Sequence, residues 1–322
     1  MTTDILRVEN LTMFYGTRGG DVRAVDDVSF TLKEGDSLGL VGESGCGKTS
    51  IALTLLRLLP ENSKINEGHV WMKDTDLLAL SEEEMRHFRW KRVSMIFQAA
   101  MNSLNPVYSV GDQIIEALDE HIGLMSKDQS RERVAELFDL VGLDPALMDR
   151  YPHEFSGGMR QRAVIAMALS CNPDLIIADE PTTALDVIVQ DRVLRQLEEV
   201  QEKLGMSMIY ISHDIAVIAE VSNRIAVMYA GQMSEMASSY AIFEQPLHPY
   251  TYALMSSFPS IKGKKHDLEP LPGEPPNLIT PPSGCRFHPR CPRATSICAE
   301  EKPPFKDYGD NHFAACWHPL EH

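Results

Sequence analysis

An α/β fold is expected for residues 1–245, followed by an irregular, proline-rich extension over residues 246–322. Three observations predict this. Short apolar runs alternate with amphipathic stretches through the first 245 residues, as successive strand–helix units do. One of those runs ends in a glycine-rich turn directly ahead of a helical pattern. Fourteen of the twenty prolines fall in residues 246–322, where the missing N–H groups and fixed φ angles leave little room for helices or ladders.

The elements follow in order. "SLGLVG" (37–42) reads as a buried strand closed by glycine, and "KTSIALTLLRLLP" behind it as a helix. The section from about 99 to 160 lacks strand signals and is expected to form an inserted helical subdomain. "DLIIADE" (174–180) and "MSMIYISHD" (206–214) are further buried strands. Between them "DVIVQDRVLRQLEEVQEKLG" is a helix closed by Gly205. There is no internal repeat and no low-complexity tract.

Charge and cysteine usage bound the function. A net charge of −16 argues against a nucleic-acid binder, which needs a basic face, and against docking on anionic lipid by charge alone. The first residues, "MTTDILRVENLTMFYG", lack the basic and apolar regions of a secretory signal. No apolar run approaches the roughly eighteen residues that span a bilayer. A reducing cytosolic setting is therefore expected, in which clustered cysteines read as metal ligands rather than disulfides.

"GESGCGKTS" (42–50) fits G-x-x-x-x-G-K-[ST] between a strand and a helix, the context that motif requires. Gly42, Gly45 and Gly47 let the backbone wrap so that N–H groups and the helix N-terminus face phosphates. Lys48 adds positive charge at the β- and γ-phosphates, and the Thr49 hydroxyl can ligate Mg²⁺. Ser44, Cys46 and Ser50 complete the segment expected to touch ATP. "LIIADE" ends in Asp179, which can hold Mg²⁺, and Glu180, which can polarise an attacking water. In "FSGGMRQR" (155–162), Ser156 is a natural N-cap, and Gly157 and Gly158 leave helix N–H groups open to an anion.

With those three motifs in order, the chain resembles the ATPase subunit of an ATP-binding-cassette transporter, a P-loop NTPase, along essentially its whole length. The resemblance implies a role for each matching position. Ser156, Gly157 and Gly158 would contact the γ-phosphate bound on an opposing subunit. Gln98 in "IFQ" would touch Mg²⁺ and face the membrane subunits. Asp186 in "ALD" would lie in the loop at the dimer contact, and His213 in "ISHD" would sense the γ-phosphate. Tyr15 in "FYG" would stack on adenine, with Phe14 as its rival. Phe155 and Met159 stand where such signatures commonly carry Leu and Gln, and Ala99-Ala100 where relatives often carry an acid and a proline.

Beyond residue 245, "HPYTYAL" (248–254), "LPGEPP" (271–276) and "GCRFHPRCP" (284–292), with "MNSLNPVYSVGDQI" (101–114), resemble the dipeptide/oligopeptide importer ATPases. That resemblance implies two permease subunits, a second cassette ATPase in a heterodimer, and an extracytoplasmic solute-binding protein reached through the complex. The chain would sit peripherally on the cytoplasmic face of the cell membrane. Nickel, glutathione or oligosaccharide import is the alternative use of the same ATPase, and a non-transport cassette ATPase or an iron–sulfur protein with an accessory ATPase the remoter ones.

Cys285, Cys291, Cys298 and Cys316 follow the spacing C-x5-C-x6-C-x17-C, while Cys46 and Cys171 stand alone. Zinc sites usually pair two ligands more tightly than this, and four thiolates satisfy a [4Fe–4S] cluster. The resemblance adds that members with this cysteine pattern are associated with such a cluster. Zinc is the alternative, with His288, His312 or His318 able to replace a cysteine. A metal staple would give order to an extension that lacks the apolar periodicity for a core of its own.

Overall fold

A computed structural model describes residues 3–98, 103–183, 185–257 and 273–321. Ala99-Ala100, Met101-Asn102 and Leu271-Pro272, all singled out from the sequence, lie outside the described residues. The chain divides into two compact units, each assembled from several stretches. One comprises Met1–Ile5, Leu32–Asp36 and Ala79–Tyr210; the other comprises Leu6–Thr31, Ser37–Leu78 and Ile211–His322.

The second of these units carries the glycine-rich turn. Strands Asp4–Thr17, Gly20–Lys33, Ser63–Met72 and Thr75–Asp76 make an antiparallel sheet in which the first strand lies between the second and third. Its register runs from Leu6 opposite Met72 to Tyr15 opposite Ser63. Val28, Phe30 and Leu32 alternate inward along the second strand, the period-two pattern of a half-buried strand. A further sheet is built on Ser37–Val41, all five residues buried, which pairs in parallel with Arg224–Tyr229. That strand pairs antiparallel with Gln232–Ser238.

The extension joins this sheet. Phe313–Ala314 pairs with Glu235 and Met236, and Lys306–Asp307 pairs with Phe313–Ala314. The described residues of the extension cluster with the strands that carry the turn. The physical reason is a shared aromatic core. The Tyr250 ring lies 4.6 Å from that of Tyr229 and 5.3 Å from that of Phe287, and all three side chains are buried. The extension, expected to lack a core of its own, packs its aromatic side chains on the strand Arg224–Tyr229.

In the other unit, strands Val93–Ile96 and Leu175–Asp179 pair in parallel, with Ser207–Ile211 next to the latter. Helices Val110–His121, Lys127–Leu140 and Gly157–Leu169 fill the region expected to be helical, and no strand interrupts it among the described residues. Ile114, Leu118, Val134, Leu137 and Phe138 are all fully buried there. The helix Val187–Leu204 stops at Gly205, whose φ of 63° gives the left-handed cap that ends helices.

Candidate nucleotide site

The turn after Ser37–Val41 is shaped by what its glycines touch. A Cβ on Gly42 would sit 2.2 Å from the Met228 carbonyl oxygen, and one on Gly47 would sit 2.1 Å from that of Ala24. Both have φ values, 146° and 107°, that side-chain-bearing residues avoid. The loop then enters the helix Lys48–Leu55 with Gly47 at its N-cap, so the unpaired N–H groups and the positive end of the helix dipole face the loop. Ser44, Gly45 and Thr49 are exposed, whereas Cys46 and Lys48 are buried.

Lys48 Nζ donates to the carbonyl oxygens of Gly42 at 2.7 Å and Glu43 at 3.1 Å, holding the ammonium over the loop. Cys46 Sγ is 3.6 Å from the same ammonium, yet burial keeps the thiol above its ordinary pKa. The Tyr15 hydroxyl donates to Ser50 Oγ at 3.1 Å, which places Tyr15 beside the helix. The Phe14 ring is instead faced by the Arg23 guanidinium at 5.7 Å. His213 is exposed just beyond Ser207–Ile211, next to Asp214, which caps the helix Ile215–Val221 by accepting from Ala216 and Val217.

The other unit presents the acidic pair. Asp179 ends its strand buried, and Glu180 turns away with φ at 48°. Glu180 Oε2 accepts from Gln98 Nε2 at 2.7 Å and from the Thr183 hydroxyl at 2.9 Å. Two residues chosen separately from the sequence, Gln98 and Glu180, are therefore in direct contact. Ser156 caps Gly157–Leu169 by accepting from Met159 N–H at 3.3 Å. Phe155 is buried and Met159 half-buried, so neither departure from the usual signature removes the Ser156-Gly157-Gly158 edge. Asp186 caps Val187–Leu204 through Val189 N–H at 3.0 Å.

The cysteine expectation fares differently. Among the described residues no group of three or more His, Cys, Asp or Glu side chains is arranged to hold a metal ion. All six cysteines are free thiols. Cys285, Cys291, Cys298 and Cys316 do line one cavity of about 20 Å³, without converging on a point. Burial, reinforced by the neighbouring thiols, pushes Cys285 and Cys316 up to about 11. The three histidines considered as substitutes make other bonds. His288 Nδ1 lies 2.9 Å from the Cys285 carbonyl, His318 Nε2 is 2.8 Å from the Thr295 hydroxyl, and His312 is paired with Glu235.

Sequence reasoning passes over Glu43, an unspecified position of the motif, and over Arg290 and Tyr250. In the structure Arg290 forks onto the Glu43 carboxylate, and the Tyr250 hydroxyl accepts the Glu43 N–H at 3.0 Å. The one signal available was an acid inside a phosphate loop in a chain whose extension carries arginines. Among the described residues no helix is long and apolar enough to cross a membrane.

Residues 25–183 match the family model of the ABC transporter, and residues 234–298 match that of the oligopeptide/dipeptide transporter C-terminal region. The dipeptide transport ATP-binding protein DppD of Bacillus subtilis (strain 168) is 47% identical, across 97% of this chain and 94% of the relative. The oligopeptide transport ATP-binding protein OppD of Salmonella typhimurium is 43% identical, across 98% of this chain and 94% of the relative. Among solved structures, the dimeric post-hydrolysis state of the ATP-binding cassette MJ0796, bound to ADP and Pi, superposes with a TM-score of 0.65 at 26% identity. The match takes in 73% of this chain and 98% of that one. The chain belongs to the ATP-binding proteins of the dipeptide/oligopeptide ABC transporter family, with their cassette P-loop NTPase fold.

Proposed function

We infer that this chain is the ATP-hydrolysing subunit that powers import of di- and oligopeptides through partner permease subunits. The observation that carries the reading is the match to peptide-transport relatives over 97% of the chain, extension included. Nickel, glutathione and oligosaccharide import, and a non-transport role, have no comparable support. The chain would dock peripherally on the cytoplasmic face of the membrane, and pair there with a second cassette ATPase.

The residues divide the work. Lys48 and the loop N–H groups hold the β- and γ-phosphates, and Tyr15 stacks on adenine. Thr49, Gln98 and Asp179 are the residues that would hold Mg²⁺, which when bound would neutralise charge developing on the transferred phosphoryl group. Glu180 orients and polarises the attacking water, and Gln98, already its hydrogen-bond partner, keeps the carboxylate aimed. His213 senses the γ-phosphate, Asp186 lies at the dimer contact, and Ser156, Gly157 and Gly158 address the nucleotide of the opposing subunit. Glu180→Gln should retain Mg-ATP binding and lower turnover by about 10²–10⁴ in the assembled transporter, together with peptide uptake. Near wild-type hydrolysis would remove Glu180 from that role. Full ATPase activity with no peptide-stimulated uptake would remove the substrate class.

We propose also that residues 246–322 are a C-terminal extension in which Cys285, Cys291, Cys298 and Cys316 ligate a [4Fe–4S] cluster. That all four side chains line one cavity supports this. A four-iron cubane spaces its thiolates more widely than one zinc ion does, in keeping with sulfurs that share a cavity but not a point. The cluster, when bound, supplies ligation energy that closes the loops around it. Anaerobically purified protein should carry about four irons per chain and absorb broadly near about 400 nm. Cys298→Ser should bleach that band and open the extension to protease. Stoichiometric zinc without iron would replace the cluster by a zinc site.

A further inference from the structure

The extension bonds to the phosphate loop at Glu43. Arg290 Nη1 donates to Glu43 Oε2 at 2.7 Å and Nη2 donates to Oε1 at 3.1 Å, a bidentate fork. The same Nη1 lies 3.2 Å from the Tyr229 hydroxyl, and the guanidinium sits 5.7 Å from the Tyr229 ring centroid. The Arg290 side chain is only 6% exposed, and that of Glu43 25%, so water competes weakly for this pair. The Glu43 main chain is held as well, its N–H by the Tyr250 hydroxyl at 3.0 Å and its carbonyl by Lys48 Nζ at 3.1 Å. Glu43 is thus fixed at three points, two of them supplied by residues beyond 245.

We propose that Arg290 is a positioning residue for nucleotide binding: by clamping Glu43 it pre-sets the loop and the carbonyl that aims the Lys48 ammonium. A loop already in its binding conformation loses less freedom when a triphosphate enters, and that saving appears as affinity. A fork between planar groups fixes direction as well as distance, which a lysine at this position would not do. The extension therefore acts on the cassette chemistry as well as packing beside it. The inference rests on reading Gly42–Thr49 as the nucleotide site.

The test is the Kd for a fluorescent Mg-ATP analogue on the full-length chain, for wild type, Glu43→Gln, Arg290→Met and the double variant. Each single change should weaken binding about fivefold to tenfold, and the double change no further, because both remove one coupled interaction. Arg290→Lys should fall between wild type and Arg290→Met. Limited proteolysis reports whether the extension stays ordered. If Arg290→Met disorders it, Glu43→Gln decides, since that change leaves Arg290 and every extension residue in place. Kd values within about twofold of wild type for Glu43→Gln, or single effects that simply multiply in the double variant, would overturn the proposal. If Lys48→Ala binds the analogue as tightly as wild type, the nucleotide-site reading itself fails instead.

Discussion

The phosphate loop and the cysteine-bearing extension lie in one compact unit, yet they are held by different means. In the loop, Lys48 bonds to carbonyls five and six residues back, Cys46 N–H donates to Glu43 at 3.2 Å, and Ile51 N–H donates to Gly47 at 3.0 Å. The extension does have local turns, such as Cys285 N–H to Cys298 at 2.8 Å. Its anchors, however, are distant in sequence. Arg286 bonds to the Asp26 carboxylate and the Ala230 carbonyl, Arg290 to Glu43, Lys302 to Asp27 and His312 to Glu235. The loop draws most of its bonds from its own segment, with Arg290 and Tyr250 added at Glu43, whereas the extension takes its shape from a surface made elsewhere. Damage to the loop is therefore local and severe, and damage to the extension is graded by the burial of the anchor lost.

The largest expected effect tests the loop side. Gly47→Ala would place a Cβ 2.1 Å from the Ala24 carbonyl oxygen, at a φ of 107°. Backbone strain of roughly 1–3 kcal/mol adds to roughly 1–3 kcal/mol of overpacking against a main-chain atom that has little room to move. Urea melts should show a loss of about 2–6 kcal/mol, and nucleotide binding should disappear with it. A loss below about 1 kcal/mol would mean that the surroundings of the loop, not its backbone fit, set its shape.

His248 tests the extension side. Its Nδ1 accepts the Tyr250 N–H at 3.0 Å and caps the helix Pro249–Ser256, so it must be unprotonated there. Burial holds its pKa down at about 4, against opposing contributions from Glu235 and the Ala315 backbone. Above about pH 6.5 the ring is neutral in both folded and unfolded chains, and it contributes no pH dependence. As pH falls from about 6.5 towards 4, the unfolded chain takes up a proton that the folded chain refuses, and stability is lost through that window. About 2 kcal/mol should go between pH 7.5 and 5, read by hydrogen exchange in residues 249–256. His248→Asn should flatten the slope even if it lowers the starting stability. An unchanged slope would assign the acid sensitivity to other groups.

The two sides also differ in how far sequence reveals them. Gly42–Thr49, Asp179–Glu180 and the caps Ser156 and Asp186 are legible because each does its work within a few residues, where residue type and spacing carry the geometry. The contact between Gln98 and Glu180 was not legible as a contact, since 82 residues separate them, though each was recognisable from its own motif. The anchors of the extension were invisible for the same reason, taken further: Arg286, Arg290 and Lys302 meet acids 260, 247 and 275 residues away. Proline content predicted irregular chain at 246–322, and the described residues of that stretch are largely irregular. It could not predict that Tyr250 and Phe287 would pack on Tyr229, because shared aromatic packing leaves no periodic trace. The four clustered cysteines were read as metal ligands, and in the structure they line a common cavity.

The smallest expected effect is at Lys302, and it decides whether every anchor of the extension counts equally. Lys302 Nζ lies 2.7 Å from Asp27 Oδ2, a distance as short as that of the Arg290 fork. Length alone would rank the two contacts together; exposure separates them. The Lys302 and Asp27 side chains are 43% and 49% exposed, so water and salt screen the charges, and two mobile side chains lose freedom on pairing. Burial pushes the Asp27 carboxyl up, but the hydrogen bonds from Asn10 and Lys302 outweigh it and hold the group below its ordinary value. Asn10 Nδ2 donates to Asp27 Oδ1 at 2.9 Å independently of Lys302, so losing the lysine leaves the carboxylate partnered and open to water. Lys302→Met should therefore cost under about 1 kcal/mol in a urea melt, and the difference should shrink further in about 0.5 M salt. A cost of several kcal/mol that salt does not reduce would show that proximity, not burial, grades the anchors, and would break the contrast between the mainly local loop and the borrowed extension.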